Sequence, residues 1–372
     1  MKKRNMKMTS VVLTAALAAV SLAGCGGSGK TETTVVAGSA DTTAAETGSE
    51  AESSEAAGGE AKEGGYKVAM ISDTSVSDGG WGASCYQAMV DAAAEKGWET
   101  VYTDNVATSD YATVMTDYAE LGYDLIFAPG NQYTDAVKQV AEEYPEIKFA
   151  LLNGTVETDN IQSILPDAEQ IGYMAGALAG LMSKTNNIGF VVGMTNETMN
   201  QFGYGYCAGA IDANPDITVQ QFNANSFADS ATGKTMANTA ITNGADIVFQ
   251  AAGATGLGVI EACQEAGVYA IGVDSDQSSI APKTVLTSAM KRVDNAVYDA
   301  VQELIDDKLE GGVQTFDLAA GGVDIAPSQD LISDDVIKAV DEVKEKIISG
   351  DVVIPDNKDD FEAKYGDVYV LD

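Results

Sequence analysis

The sequence predicts an α/β protein of two successive lobes, each a parallel sheet with helices on both faces. Three observations predict it. Short apolar runs of strand length alternate with segments whose apolar residues recur at helical spacing. The alternation runs through about 300 residues, more than a single core usually holds. It also restarts after Gln170, giving two units of about 100 residues each, an ordinary domain size.

Each element follows from its residues. Tyr66 to Ile71 is a short apolar run and reads as a buried strand. Trp81 to Lys96 has helical spacing and stops at Gly97. Trp98 to Tyr102 reads as a strand, Tyr111 to Leu121 as a helix, and Tyr123 to Ala128 as a strand. Tyr133 to Tyr144 is helical and ends at Pro145, before the strand Lys148 to Leu152. The second unit opens with an Ala/Gly/Leu-rich helix, Ile171 to Ser183, whose length and polar borders make it a packed core helix. Strands follow at Ile188–Val192, Ile217–Phe222, Asp246–Phe249 and Tyr269–Val273. Helices over Phe202–Ala213, Ser230–Thr242 and Leu257–Ala266 separate them. Asp294 to Leu309 and Asp334 to Ile348 are further helices, with residues 315–326 between them.

The chain ahead of Tyr66 is of another kind. Lys2, Lys3, Arg4 and Lys7 precede an apolar stretch from about Met8 to Ala23, the pattern of a secretory signal. That stretch is short for a membrane span, which needs roughly 20 apolar residues. Leu22-Ala23-Gly24-Cys25 resembles the lipobox of bacterial lipoproteins, where a lipid joins the cysteine thiol and cleavage falls just before it. The resemblance implies a signal peptide over 1–24 and a lipidated Cys25 that tethers the protein to the extracytoplasmic face of the cell membrane. The competing reading is an ordinary signal peptide with an incidental cysteine. Residues 25–65 are Gly, Ser, Thr, Ala and Glu with almost no large apolar side chains, and are expected to form a disordered linker.

Charge and composition exclude several functions. Removing the four signal cations takes the formal charge from −35 to −39. So acidic a surface repels nucleic-acid phosphates, and no nucleic-acid partner is expected. There is no histidine, which removes the commonest general base and metal ligand near neutral pH. Cys85, Cys207 and Cys263 fit no metal spacing and read as small core residues. No cofactor is expected.

In parallel sheets, ligands bind outside the carboxyl ends of strands. The polar residues there are Asp73 to Asp78, Asp104-Asn105, Gly130-Asn131, Asn153-Gly154, Gly193-Met194, Gly253 to Gly256 and Asp274 to Asp276. The turn AGATGLG around Gly253 follows a strand and opens a helix, but its G-x-x-G-x-G spacing is not that of a dinucleotide site. It suits either close ligand approach or tight helix-on-strand packing. A carboxylate at Asp274 can accept two hydrogen bonds from a vicinal diol, and Lys291 on a neighbouring strand can donate to the same hydroxyls. The alternatives are a turn cap for Asp274 or Asp276 and a surface position for Lys291. Trp81 and Phe227 each follow turn-like residues, and either ring can stack on a flat ligand or pack in a core.

The stretches AMISDTSVSDGGWGASCYQAM, IKFALLNG, IGYMAGALAGLMS, FNANSFADSATGKTMA, DIVFQAAGATGLGVIEA, AIGVDSDQ and LTSAMKRVD resemble, in order, the basic membrane protein family of substrate-binding lipoproteins. These are binding components of ABC importers and include purine nucleoside receptors. The likeness covers residues 66 to about 348. It implies two Rossmann-like lobes joined by a multi-strand hinge, as in type I periplasmic binding proteins. The lobes would be 66–164 with 291–315, and 165–290 with 316–372. It further implies a nucleoside held between the rings of Trp81 and Phe227, a ribose read by Asp274 and Lys291, and contacts from Asp78 and the Gly253 turn. Gly82 stands where the family usually has asparagine, and Asn153 where it commonly has aspartate. Both positions are expected at the base edge, so the base preference is open.

The leading expectation is thus a lipid-anchored nucleoside-binding protein, not an enzyme, that hands its ligand to membrane permease subunits. The alternatives are a binding protein for a sugar or other small polar ligand, and a sensor for a membrane kinase. A nucleoside hydrolase is disfavoured, because Asp274-Ser275-Asp276 lacks the second carboxylate cluster that a six- to eight-oxygen Ca²⁺ site needs.

Overall fold

A computed structural model describes residues 34–36, 65–76, 81–327 and 331–371. The expected signal segment, Cys25 and Asp78 lie outside the described residues. Among the described residues no helix is long and apolar enough to cross a membrane.

The first lobe is built from β1 (Thr34–Val36), β2 (Lys67–Ile71), α1 (Trp81–Lys96), β3 (Glu99–Thr103), α2 (Tyr111–Glu120), β4 (Leu125–Ala128), α3 (Thr134–Glu143), β5 (Lys148–Leu152) and β6 (Ile161–Pro166). The second holds α4 (Ala168–Met182), β7 (Asn187–Val192), α5 (Glu197–Ala213), β8 (Thr218–Asn223), α6 (Ser230–Thr242), β9 (Ile247–Ala251), α7 (Thr255–Ala266), β10 (Tyr269–Asp274) and β11 (Val285–Lys291). The chain then returns to the first lobe with α8 (Val293–Ile305) and β12 (Gly312–Phe316). It crosses back for β13 (Val323–Ile325), α9 (Asp334–Ile348) and α10 (Lys358–Tyr365). The strand order is β1-β3-β2-β4-β5-β6-β12 in one sheet and β13-β11-β10-β9-β7-β8 in the other. Only β1 on β3 and β13 on β11 pair antiparallel among the described residues.

The central strands β2, β4, β5 and β9 are buried on both faces, which is why they read as largely apolar runs. In β2, Val68 and Met70 pack with α1 and α8, while Ala69 and Ile71 pack with α2 and α3. Cys85, Cys207 and Cys263 are buried and none is in a disulfide.

Four local features differ from the sequence expectation. Thr34–Val36 is a strand inside the segment expected as a disordered linker, and all three of its residues are β-branched. β6 interrupts its apolar pattern with Gln162 and Ser163. Both are buried, and Ser163 bridges to the Val156 backbone. α5 starts five residues before Phe202, because the Asn196 side chain caps it by accepting from the Met199 amide at 3.0 Å. α10 is polar almost throughout and is anchored by the buried Phe361.

Two crossings between lobes are tied side by side. The Asp167 amide donates to the Phe316 carbonyl at 3.1 Å, and the Leu318 amide donates to Gln170 Oε1 at 2.9 Å. Burial pushes the Asp167 and Glu169 carboxyls there above the ordinary carboxylate range, with repulsion from Asp317 and Asp356 adding to the rise at Asp167 and the Asp167 carboxyl adding to it at Glu169.

α4 opens the second lobe and runs against α5. A Cβ on Gly172, Gly176 or Gly180 would meet the backbone of Phe202, Tyr206 or Ala210, and one on Gly205 or Gly209 would meet that of Glu169 or Tyr173. The interlocked glycines explain why IGYMAGALAGLMS carries glycine at every fourth residue, Gly172, Gly176 and Gly180.

Candidate functional site

Non-glycine residues with left-handed backbone gather at the carboxyl ends of parallel strands. Four of the six among the described residues do so: Asn105 after β3 (φ 53°), Asn153 after β5 (φ 54°), Asn225 after β8 (φ 54°) and Asp274 closing β10 (φ 66°). Asn and Asp tolerate this region best, yet it still costs free energy, and such residues collect at functional sites.

Lys291 is the centre of the arrangement. It closes β11 beside β10, whose Asp274 is in register with Met290, so the two candidate ribose readers end adjacent strands. Only 6% of Lys291 is exposed, which removes the surface-lysine reading. Its ammonium lies 5.0 Å from the centroid of the Trp81 ring and 5.2 Å from that of Phe202. Both rings are within range of a cation–π attraction. Burial lowers the lysine pKa, and the Asp274 carboxylate opposes that shift. Trp81 is the first residue of α1, in the first lobe, whereas Lys291 ends a strand of the second. Their contact therefore joins the two lobes.

The Trp81 indole is fixed from behind, because its Nε1 donates to the Pro129 carbonyl at 2.7 Å. Phe227 sits in the loop after β8, half-buried, over a floor of glycine. A Cβ on Gly193 would strike its ring, and one on Gly253 (φ 57°) would lie 3.2 Å from its carbonyl oxygen. Thr255 straps this loop: its hydroxyl donates to Ser226 at 2.8 Å and accepts from the Asp229 amide at 2.8 Å. The AGATGLG turn thus divides its glycines. Gly253 floors Phe227, while Gly256 and Gly258 make room for Gln250 and for the α6 backbone at Ser230. Asp276 is the turn cap, accepting from the Ser278 amide at 2.9 Å.

Asn153 fixes its backbone by donating to the Ile164 carbonyl at 2.8 Å, while its side-chain Oδ1 is buried without a hydrogen-bond partner among the described residues. A buried acceptor of this kind favours a ligand that brings a donor. The predicted residues thus fall into a Trp81–Lys291–Asp274 group, a Phe227–Gly253 group and Asn153.

Sequence reasoning missed two sets of partners. Phe202 lies inside a helix, and nothing in its spacing sets it apart from a core residue. Asp73 accepts from Tyr133 at 3.0 Å, Gln132 at 3.0 Å and Tyr111 at 3.4 Å, which anchors the backbone just after β2. Burial raises the Tyr133 hydroxyl well above its ordinary pKa, so it remains a donor.

Residues 66–358 match the family described as ABC transporter substrate-binding protein, PnrA-like. The chain is 32% identical over 315 residues to the CD4+ T-cell-stimulating antigen of Listeria monocytogenes, covering 78% of this chain and 88% of that one. It is 31% identical to the ABC transporter nucleoside-binding protein BmpA of Lactococcus lactis, over 78% of this chain and 89% of that one. A solute-binding protein of an ABC transporter system from Aeropyrum pernix has the same fold, with a TM-score of 0.73 and 25% identity, over 82% of this chain and 98% of that one. Two lobes of parallel sheet, repeated crossings between them and a family match across nearly all of the folded chain lead to one conclusion: the protein belongs to the PnrA-like family of ABC transporter substrate-binding proteins.

Proposed function

We propose that this substrate-binding protein takes a nucleoside, with purines the expected class, and delivers it to permease subunits from a lipid anchor at Cys25. The observation that carries the reading is Lys291, buried at the end of β11 with Asp274 at the adjacent strand end and Trp81 reaching it from the other lobe. A carboxylate and an ammonium side by side suit a vicinal diol, and aromatic faces beside them suit a base. The name of the Lactococcus relative points to the same ligand class. A ligand touching both lobes favours the closed form, because only that form makes both sets of contacts, and the permease recognises that form.

Calorimetric titration with adenosine, guanosine, inosine, uridine, cytidine and free ribose tests the ligand. Stacking contributes about 1–3 kcal/mol per base. The best nucleoside should therefore bind about ten- to a hundredfold more tightly than ribose. Ribose binding as tight as any nucleoside would overturn the nucleoside reading in favour of a sugar. The Asn153 amide both donates and accepts, so the ranking among bases should be shallow, and Asn153→Asp should change it.

For the anchor, Cys25→Ala should remove lipid labelling and the mature protein from the membrane fraction. Normal labelling of that variant would refute lipidation at Cys25.

A further inference from the structure

We infer that Gln250 and Gln277 form the positioning element of the ligand site, a buried amide pair that holds the Gly253 turn, the Asp274 carboxylate and the Lys291 strand in one register. The inference rests on the nucleoside reading of the cleft and assigns a role to two residues that do not themselves need to touch ligand.

The pair joins three strands. Gln250 in β9 and Gln277 after β10 are 0% and 4% exposed. Gln250 Nε2 donates to Gln277 Oε1 at 2.8 Å. Gln250 Oε1 accepts from the Ala252 amide at 3.1 Å, immediately before Gly253. Gln277 Oε1 also accepts from the Val273 amide at 3.1 Å, immediately before Asp274. The Gln277 amide donates to Ser288 Oγ at 3.0 Å, three residues before Lys291 on β11. Each of the three candidate ligand residues is therefore within three residues of a group in one buried network.

The backbone is shaped to admit it. A Cβ at Gly256 would run into the Gln250 amide, and one at Gly272 would lie 2.5 Å from Ser288 Oγ and 2.6 Å from Gln277 Oε1. Gly253 and Asp274 both hold positive φ, a backbone that persists where its surroundings over-determine it. Buried amides with paired partners supply such a constraint, since releasing them leaves N–H groups orphaned away from water.

The test uses Gln277→Met, which keeps the volume and removes the acceptor, and Ser288→Ala as a milder second variant. The probes are the tightest-binding nucleoside of the titration series and its 2′,3′-dideoxy analogue. If Gln277 acts through Asp274 and Lys291, Gln277→Met, which orphans the Gln250 side-chain amide and the Val273 N–H, should weaken the nucleoside at least about tenfold, and the dideoxy analogue by clearly less. Ser288→Ala should show the same preference for loss at the diol. Equal loss for both probes, or no loss, would overturn the inference. Hydrogen exchange on the free proteins gives a reading independent of ligand. Amides of residues 252–256 and 273–277 should exchange faster in both variants, with α4 and α5 unchanged. Unchanged exchange at both turns would overturn the positioning role. Failure of the wild-type protein to bind any nucleoside would instead overturn the ligand class and leave the exchange result to decide positioning.

Discussion

Lys291→Met is expected to weaken nucleoside binding by about ten- to a hundredfold, the loss of a charge-assisted hydrogen bond in a closed site. The same substitution should leave the protein folded and close to wild-type stability. The ammonium is buried, and desolvation is the dominant influence on it, so the wild-type chain carries a cost there that methionine lacks. The thioether is also a good neighbour for the Trp81 and Phe202 rings, at about 0.3–1.5 kcal/mol. Asp274 loses its cation but is only half-buried, and water can replace part of what it loses. Calorimetry and thermal unfolding on one preparation decide the matter. Intact nucleoside affinity would remove Lys291 from the site. A large loss of stability would mean that the lysine is structural.

The pH dependence has a definite sign. Lys291 has a folded pKa below its ordinary 10.5. Between those two values the unfolded chain binds more protons, so wild-type stability rises with pH through that window. Below the folded pKa the full desolvation cost is present. The stability difference between wild type and Lys291→Met should therefore move in favour of wild type as pH approaches 10.5. A difference independent of pH would mean that the ammonium is well solvated.

The lobes were legible because parallel strands bury both faces. Val68 to Ile71 and Leu125 to Ala128 are apolar without a break for that reason. β6 was not legible, since Gln162 and Ser163 interrupt the pattern and are buried among side-chain and backbone partners. Of the candidate site, strand order and resemblance singled out Asp274, Lys291, Phe227 and Gly253, but not that Gly253 lies beneath Phe227. They did not single out Phe202, because an aromatic on a packed helix looks the same whether it faces a core or a buried lysine. The AGATGLG turn left ligand approach and helix-on-strand packing both open. At Gly256 the missing side chain makes room for Gln250. A pattern of glycines reports that something comes near, but only the fold tells which group it is.

Gly176→Leu is expected to lower stability by more than about 4 kcal/mol, a loss reserved for overpacking and similar core damage. At about 2–4 °C per kcal/mol for a chain of this order of size, the melting temperature should drop by on the order of 10 °C. Even Gly176→Ala should destabilise, although helix propensity alone would favour alanine by about 1 kcal/mol. The added Cβ would run into the Tyr206 carbonyl oxygen and lie 2.9 Å from the Ala210 nitrogen. Both are backbone atoms of α5 and cannot swing aside, so the helices must part. The sign of the Gly176→Ala effect therefore separates close packing from propensity, and a higher melting temperature would refute the packing account. Position along the pair should then separate stability from binding. Gly172 abuts the backbone of Phe202, the residue whose ring faces Lys291, so Gly172→Ala should displace that ring and lower nucleoside affinity as well as stability. Gly180 abuts Ala210, two turns farther along α5, so Gly180→Ala should destabilise without weakening the ligand. Equal binding losses at both positions would mean that α5 moves as one rigid body against the cleft.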